Sequence, residues 1–174
     1  MKEQSKPIRE KRRLSRLISK LPFFEGLSAR HLNLMADMAM EVEFDAGQPI
    51  VRQGDPANRF YLILEGKVEL MLTAKDKSEI VIHSHGPGDN LGWSWLIPPY
   101  FFRFNAHAVK PTKAIFFYGT ILRERCDEDY EFGYETMKRV AKVAIENFST
   151  LQKDLAQRPD LLRQLRERPQ STET

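Results

Sequence analysis

Few side chains in this chain are placed to do covalent or metal chemistry. His83 and His85 stand two residues apart, a spacing that puts two imidazoles on one face of a strand, and Asp89 follows shortly after. Neutral imidazole suits divalent metals, but no motif supplies a third histidine, His107 being a candidate only by coincidence, so both histidines are read as solvent-facing. The single cysteine, Cys126, can form no internal disulfide and reads as a small hydrophobe in a helix. No nucleophile–base arrangement, paired carboxylate site or Gly-rich nucleotide loop stands out, which argues against an enzyme. The densest cluster of unusual side chains is aromatic: Trp93, Trp95, Tyr100, Phe101, Phe102 and Phe104 lie within twelve positions, with Arg103 and Asn105 among them. Such a cluster suits a pocket for a flat or apolar ligand, or a plug that fills its own site.

The surrounding pattern says what must position these residues. Val42 and Phe44, Ile50 and Val51, Phe60 to Leu64, Val68 to Leu72, Glu79 to His85, Phe104 to Val109 and Ala114 to Tyr118 read as short strands, punctuated by Gly54-Asp55-Pro56, Glu65-Gly66 and Gly86-Pro87-Gly88. About eight strands at this spacing predict a mainly β fold, an eight-stranded jelly-roll β-barrel with flanking helices. Ser28 is placed to cap a preceding helix carrying Leu32, Leu34, Met35 and Met38. From Asp127 the period becomes helical. Tyr130, Tyr134, Met137, Ala141, Ala144, Phe148, Leu151 and Leu155 follow alternating steps of four and three, the repeat of a coiled-coil seam. The seam predicts a homodimer through Tyr130, Met137, Phe148 and Leu151, or packing onto the chain's own barrel.

A chain of 174 residues with 41% hydrophobic residues supports one compact core, and no apolar run approaches the roughly 20 residues of a membrane helix. A cytoplasmic protein is expected. Residues 1–20 carry eight basic and two acidic side chains, +6 against +3 for the whole chain, so a basic arm precedes the body. Its Leu14, Leu17, Ile18 and Leu21 recur at helical spacing, and its charge suits nucleic acid, anionic lipid or an acidic partner. The expected organisation is an arm over 1–20, a jelly roll with its leading helix over 21–126, a long helix over 127–157 and a polar tail over 158–174.

Within the body, Ile50, Val51, Gly54, Asp55, Ala57, Phe60, Tyr61, Leu62, Ile63 and Gly66 satisfy every position of a signature: two aliphatics, a turn glycine with a polar residue, a small residue, four hydrophobics and a second turn glycine. On these residues, and on the order helix, strands, long helix, residues 21 to 155 resemble the cyclic nucleotide-binding domain of the catabolite-activator and kinase-regulatory-subunit superfamily. The resemblance implies a second signature, a phosphate-binding cassette. In the family its Gly-Glu pair opens a short helix toward the cyclic phosphate and ribose, and a later Arg pairs with the phosphate.

Here Leu91-Gly92 opens that frame, Leu96 follows, and Ala106 and Ala108 close it. Trp93 occupies the slot of the Glu, Phe104 that of the Arg, and Asn105 the neighbouring small or polar slot. The stretch from Leu91 to Tyr100 also looks like a variant found in bacterial members of the family. The resemblance thus implies a regulatory sensor in which Gly92, Trp93, Ser94, Arg103, Asn105 and Ala106 are the candidate ligand contacts. The ligand would be cyclic AMP, cyclic GMP or another small molecule. Arg103 reaches the pocket only if the register shifts, since it neighbours an inward residue. A ligand-free dimerisation scaffold and a sensor of a different flat ligand are the alternatives. About 19 residues follow Leu155, too few for the winged helix with which relatives read DNA.

Overall fold

The computed structural model describes residues 7–73 and 78–157. Eight antiparallel strands form two four-stranded sheets: β1 (Met40–Phe44), β8 (Thr112–Tyr118), β3 (Arg59–Glu65) and β6 (Asn90–Leu91) in one, and β2 (Pro49–Val51), β7 (Asn105–Ala108), β4 (Val68–Thr73) and β5 (Glu79–His85) in the other. This is the jelly roll expected from the pattern, with one correction: the sheets are not closed into a barrel. The edge strands β6 and β2 are only two and three residues long, too short to carry a ladder round to the opposite sheet.

β3 explains why the run Phe60 to Ile63 is continuously apolar rather than alternating. Tyr61 and Ile63 face the space between the sheets, while Phe60 and Leu62 face the helices packed on the outer side. A strand buried on both faces needs apolar residues at every position. β8 is built alike, with Ala114 and Phe116 turned inward and Ile115 and Phe117 turned to the helices.

The described part of the basic segment is helical, as the spacing of its leucines predicts. It forms α1 (Ile8–Ile18), whose Leu14 and Ile18 are buried against the body. Lys11 and Arg13 fasten it to Asp37 and Glu41. α2 (Ala29–Met38) starts where Ser28 accepts a hydrogen bond from the His31 N–H at 3.2 Å.

The C-terminal helix departs from expectation in two ways. Helix begins earlier, at α3 (Gly119–Glu128), and breaks at Asp129 before α4 (Tyr130–Gln157). Asp129 leaves the helical region with φ −129° and its carboxylate accepts from the Phe132 N–H, capping α4 anew. The face of α4 turned to the body carries Phe132, Thr136 and Val140, not the seam. Tyr130, Tyr134, Met137 and Phe148 are instead exposed, which overturns packing of the seam onto its own roll. The side chains of Leu151 and Leu155 and the tail from 158 lie outside the described residues.

Candidate functional site

The cassette hangs from the edge of the first sheet. β6 pairs with β3 through Leu91 opposite Tyr61, and the chain turns away at Gly92, whose φ of 88° is left-handed. A Cβ at Gly92 would lie 2.7 Å from the Arg59 carbonyl and 3.1 Å from the Phe102 ring, so glycine is required for both conformation and space. One turn of 3₁₀ helix follows, Trp93–Trp95, with Ser94 and Trp95 buried. The returning segment, Tyr100 to Phe102, lies against the loop before β3: the Ala57 N–H donates to the Tyr100 carbonyl at 2.6 Å and the Phe102 N–H to that of Asp55 at 2.9 Å. The first signature therefore forms the wall on which the cassette rests.

The residues singled out from the sequence fall on different sides of this frame. Gly92 and Ala106 are buried beside or within the inter-sheet core. Phe102 is buried in that core and Phe104 packs against it. Arg103, between them, is exposed, as strand alternation dictates in the absence of a bulge. Asn105 faces outward too. Its amide donates to Glu79 at 2.9 Å and to Thr73 at 3.3 Å, and its carbonyl accepts from the Gln53 N–H at 2.8 Å, ties that join β7 to its neighbours. Trp93 packs with the helix-side core, across β3 from the space between the sheets.

Two arginines absent from the expectation stand close to the cassette. Arg123 of α3 donates to the Trp95 carbonyl at 2.5 Å, and its guanidinium lies 4.3 Å from the centre of the Tyr100 ring. It thereby joins both limbs of the cassette to the helix that leads into α4. Arg59 begins β3 on the inward face, 5.1 Å from the Phe116 ring centre and 5.9 Å from that of Tyr118. The hydroxyl of Tyr61 beside it, with that of Tyr118, raises its pKa further. Neither arginine belongs to a linear motif: Arg59 meets its rings across to β8, and Arg123 meets the cassette from α3.

The other candidates resolve into structural roles. His85 is buried, contrary to the solvent-facing reading, and its ring stacks edge-on to His83 at 4.8 Å. Its Nδ1 lies 3.7 Å from the Asp89 carboxylate, and the His85 ring is the largest of the influences that lower that carboxyl's pKa. Among the described residues the group with metal-ligand spacing is His31, Asp129 and Glu131, but the Arg30 guanidinium already occupies its centre, 2.5 Å from Asp129, 2.6 Å from His31 and 3.0 Å from Glu131. Burial pushes the Cys126 thiol up to about 11, consistent with an inert core thiol. No described helix is long and apolar enough to cross a membrane.

Comparison with known proteins agrees with this geometry. The family model of the cyclic nucleotide-binding domain matches residues 41–129. A CRP-like cAMP-activated global transcriptional regulator of Mycobacterium tuberculosis is 24% identical over 86 residues, 49% of this chain and 38% of the relative, so the match spans well under half the relative's length. A cyclic nucleotide-binding protein from Geobacter metallireducens superposes with a TM-score of 0.70 at 29% identity, covering 77% of this chain and 97% of that one. The regulatory subunit of a cAMP-independent protein kinase A from Trypanosoma cruzi, bound to guanosine, shares the fold at 20% identity and a TM-score of 0.60, over 79% of this chain and 52% of its own. On the matched family model and the two-sheet roll with its glycine-opened cassette, this chain belongs to the cyclic nucleotide-binding domain family.

Proposed function

We propose that the chain is a non-enzymatic regulatory module that senses a small ligand at the cassette and has left the usual cyclic nucleotide specificity. The observation that carries this reading is Phe104. In the slot where the family resemblance puts the phosphate-pairing arginine, an aromatic ring packs with the inter-sheet core. Trp93, in the slot of the ribose-binding Glu, packs with the helix-side core. Hydrogen bonds to charged groups contribute roughly 1.5 to 3 kcal/mol each, so losing two weakens a cyclic nucleotide by about a hundredfold to ten-thousandfold. The guanosine-bound relative from Trypanosoma cruzi is a precedent for this fold holding a nucleoside that has no cyclic phosphate.

Occupancy would reach the output through Arg123, which ties the cassette to α3, and from there through the break at Asp129 to α4. The exposed rings of Tyr130 and Phe148, with Met137 and the seam position Leu151, would pair two copies. Titration calorimetry with cyclic AMP, cyclic GMP and guanosine tests the proposal. The expected result is cyclic nucleotide binding weaker than about 100 μM, with guanosine quenching tryptophan fluorescence. Micromolar cyclic AMP binding would overturn the altered specificity. Dimers in sedimentation that no compound perturbs would favour the scaffold.

A further inference from the structure

We propose that Arg59 supplies the cationic contact of this pocket: its guanidinium, laid on Phe116 and Tyr118 at the inner face of β3, takes the oxyanion of a small aromatic phosphate or carboxylate. The inference rests on the reading that the cassette end of the roll is a ligand site. It adds which side chain holds the charge and what chemical class is held.

Four observations converge. Arg59 alternates with Tyr61 and Ile63, both in the inter-sheet core, so its side chain leaves β3 on the inward face, at the exposed first residue of the strand. Its main chain is the one Gly92 closes upon, with a Cβ there coming within 2.7 Å of the Arg59 carbonyl. Among the described residues no carboxylate pairs with Arg59, whereas Arg13, Arg30, Arg125 and Arg139 each have an acidic partner. Finally, the guanidinium stacks on the Phe116 ring beside the hydroxyls of Tyr61 and Tyr118, and its five N–H donors outnumber those two acceptors, leaving donors for a carboxylate or phosphate. Arg103 offers no such geometry, being on the outward face between two inward phenylalanines. The pocket's positive charge has thus moved from the cassette to the strand beneath it.

Titration calorimetry of the full chain with 5′-GMP, cyclic GMP and neutral guanosine, repeated on Arg59→Ala, Arg59→Gln and Arg103→Ala, tests this. Arg59→Gln keeps a stem on the rings and guards against a loss caused by packing alone. At least one anion is expected to bind with Kd below about 1 mM and to bind at least tenfold tighter than guanosine. Both Arg59 variants are expected to lower its affinity about ten- to a hundredfold, to the guanosine level, while Arg103→Ala stays within about twofold. Anion affinity unchanged in Arg59→Gln overturns the role of Arg59 and leaves ligand sensing intact. Guanosine binding as tightly as either anion also overturns it. Binding of 5′-GMP that depends on Arg59 upholds it even where cyclic GMP fails to bind; no anion binding below about 1 mM overturns the role of Arg59, and overturns ligand sensing too where guanosine also fails to bind.

Discussion

The segment from Leu91 to Ala106 rests on β3 and the loop before it, both within the segment from Ile50 to Gly66, yet by the resemblance drawn from the sequence the two depart from the family pattern to very different degrees. On that resemblance, every signature position between Ile50 and Gly66 fits the family's residue type, whereas from Leu91 to Ala106 the frame stays and aromatic residues stand in the slots expected to be charged. The difference follows from what each residue touches. Phe60 to Ile63 are packed on both faces of a central strand, and Gly66, with φ 100°, runs so close to Pro111 that a Cβ would come within 2.5 Å of its carbonyl. Changing any of them costs the whole domain. Trp93 and Phe104 are instead edge residues, each partly buried, and under the proposed function their identity sets what the roll can hold. Constraint by packing and constraint by ligand are therefore separable in this molecule.

The sharpest test of that separation is Gly66→Ala. A left-handed backbone and a clash with rigid main chain together are expected to cost about 3 kcal/mol or more, read as a drop in the denaturation midpoint. Gly54→Ala, with φ 87° but nothing within 4 Å, is expected to lose only about 1 kcal/mol. Equal losses would break the argument from close approach.

Next in size is the double variant Trp93→Glu with Phe104→Arg, which puts back the charged pair of the cassette. It is expected to tighten cyclic AMP by about tenfold or more, at a stability cost of about 1 to 3 kcal/mol from moving charge into apolar surroundings. A variant that folds and binds no better would show that more than these two slots separates the chain from its cyclic nucleotide-binding relatives.

Arg123→Ala is expected to cost about 1 to 2 kcal/mol, the loss of a charged hydrogen bond and a ring contact. Its clearer signature is slower protection loss: amide exchange in α4 stops responding to ligand while binding persists. Parallel loss of binding and response would make Arg123 part of the cassette rather than its link.

The smallest effect is electrostatic. Hydrogen bonds from Arg30, and then from the Phe132 N–H, hold the Asp129 carboxyl below its usual value of 3.8. A lowered carboxyl stabilises the fold fully above that value and loses the contribution as pH falls through its lower folded value. Melting temperature is therefore expected to fall below about pH 4 less steeply in Asp129→Asn than in the parent chain, the difference being small because the pair is exposed. Identical acid limbs would remove Asp129 from the hinge.

Much of the fold was legible in the chain because its signals are local. Alternation in Val68 to Leu72 and Glu79 to His85, the Ser28 cap and the turn glycines each depend on neighbours a few residues away. α3 escaped notice because only Leu122 is fully buried on it besides its first residue, with Cys126 half-buried one turn on, too thin a stripe to set a period. The seam from Tyr130 was a real helical stripe, but a period alone does not say which of two stripes meets the body, and Phe132, Thr136 and Val140 took that role. The site was half legible in the same sense. The frame of glycine and alanine follows from residue type, and strand alternation already turned Arg103 outward.

By itself, the amino-acid order determined a two-sheet roll with a glycine-opened loop rich in aromatic residues, since turn propensity, periodicity and residue type act along the chain. Only the tertiary structure decided that the roll stays open at its short edge strands, that α3 and α4 part at Asp129, that Arg59 lies on the rings of β8, and that Arg123 reaches the cassette from α3. Those contacts join residues tens of positions apart, and their energy exists only once both sheets and the helices have closed around a common core.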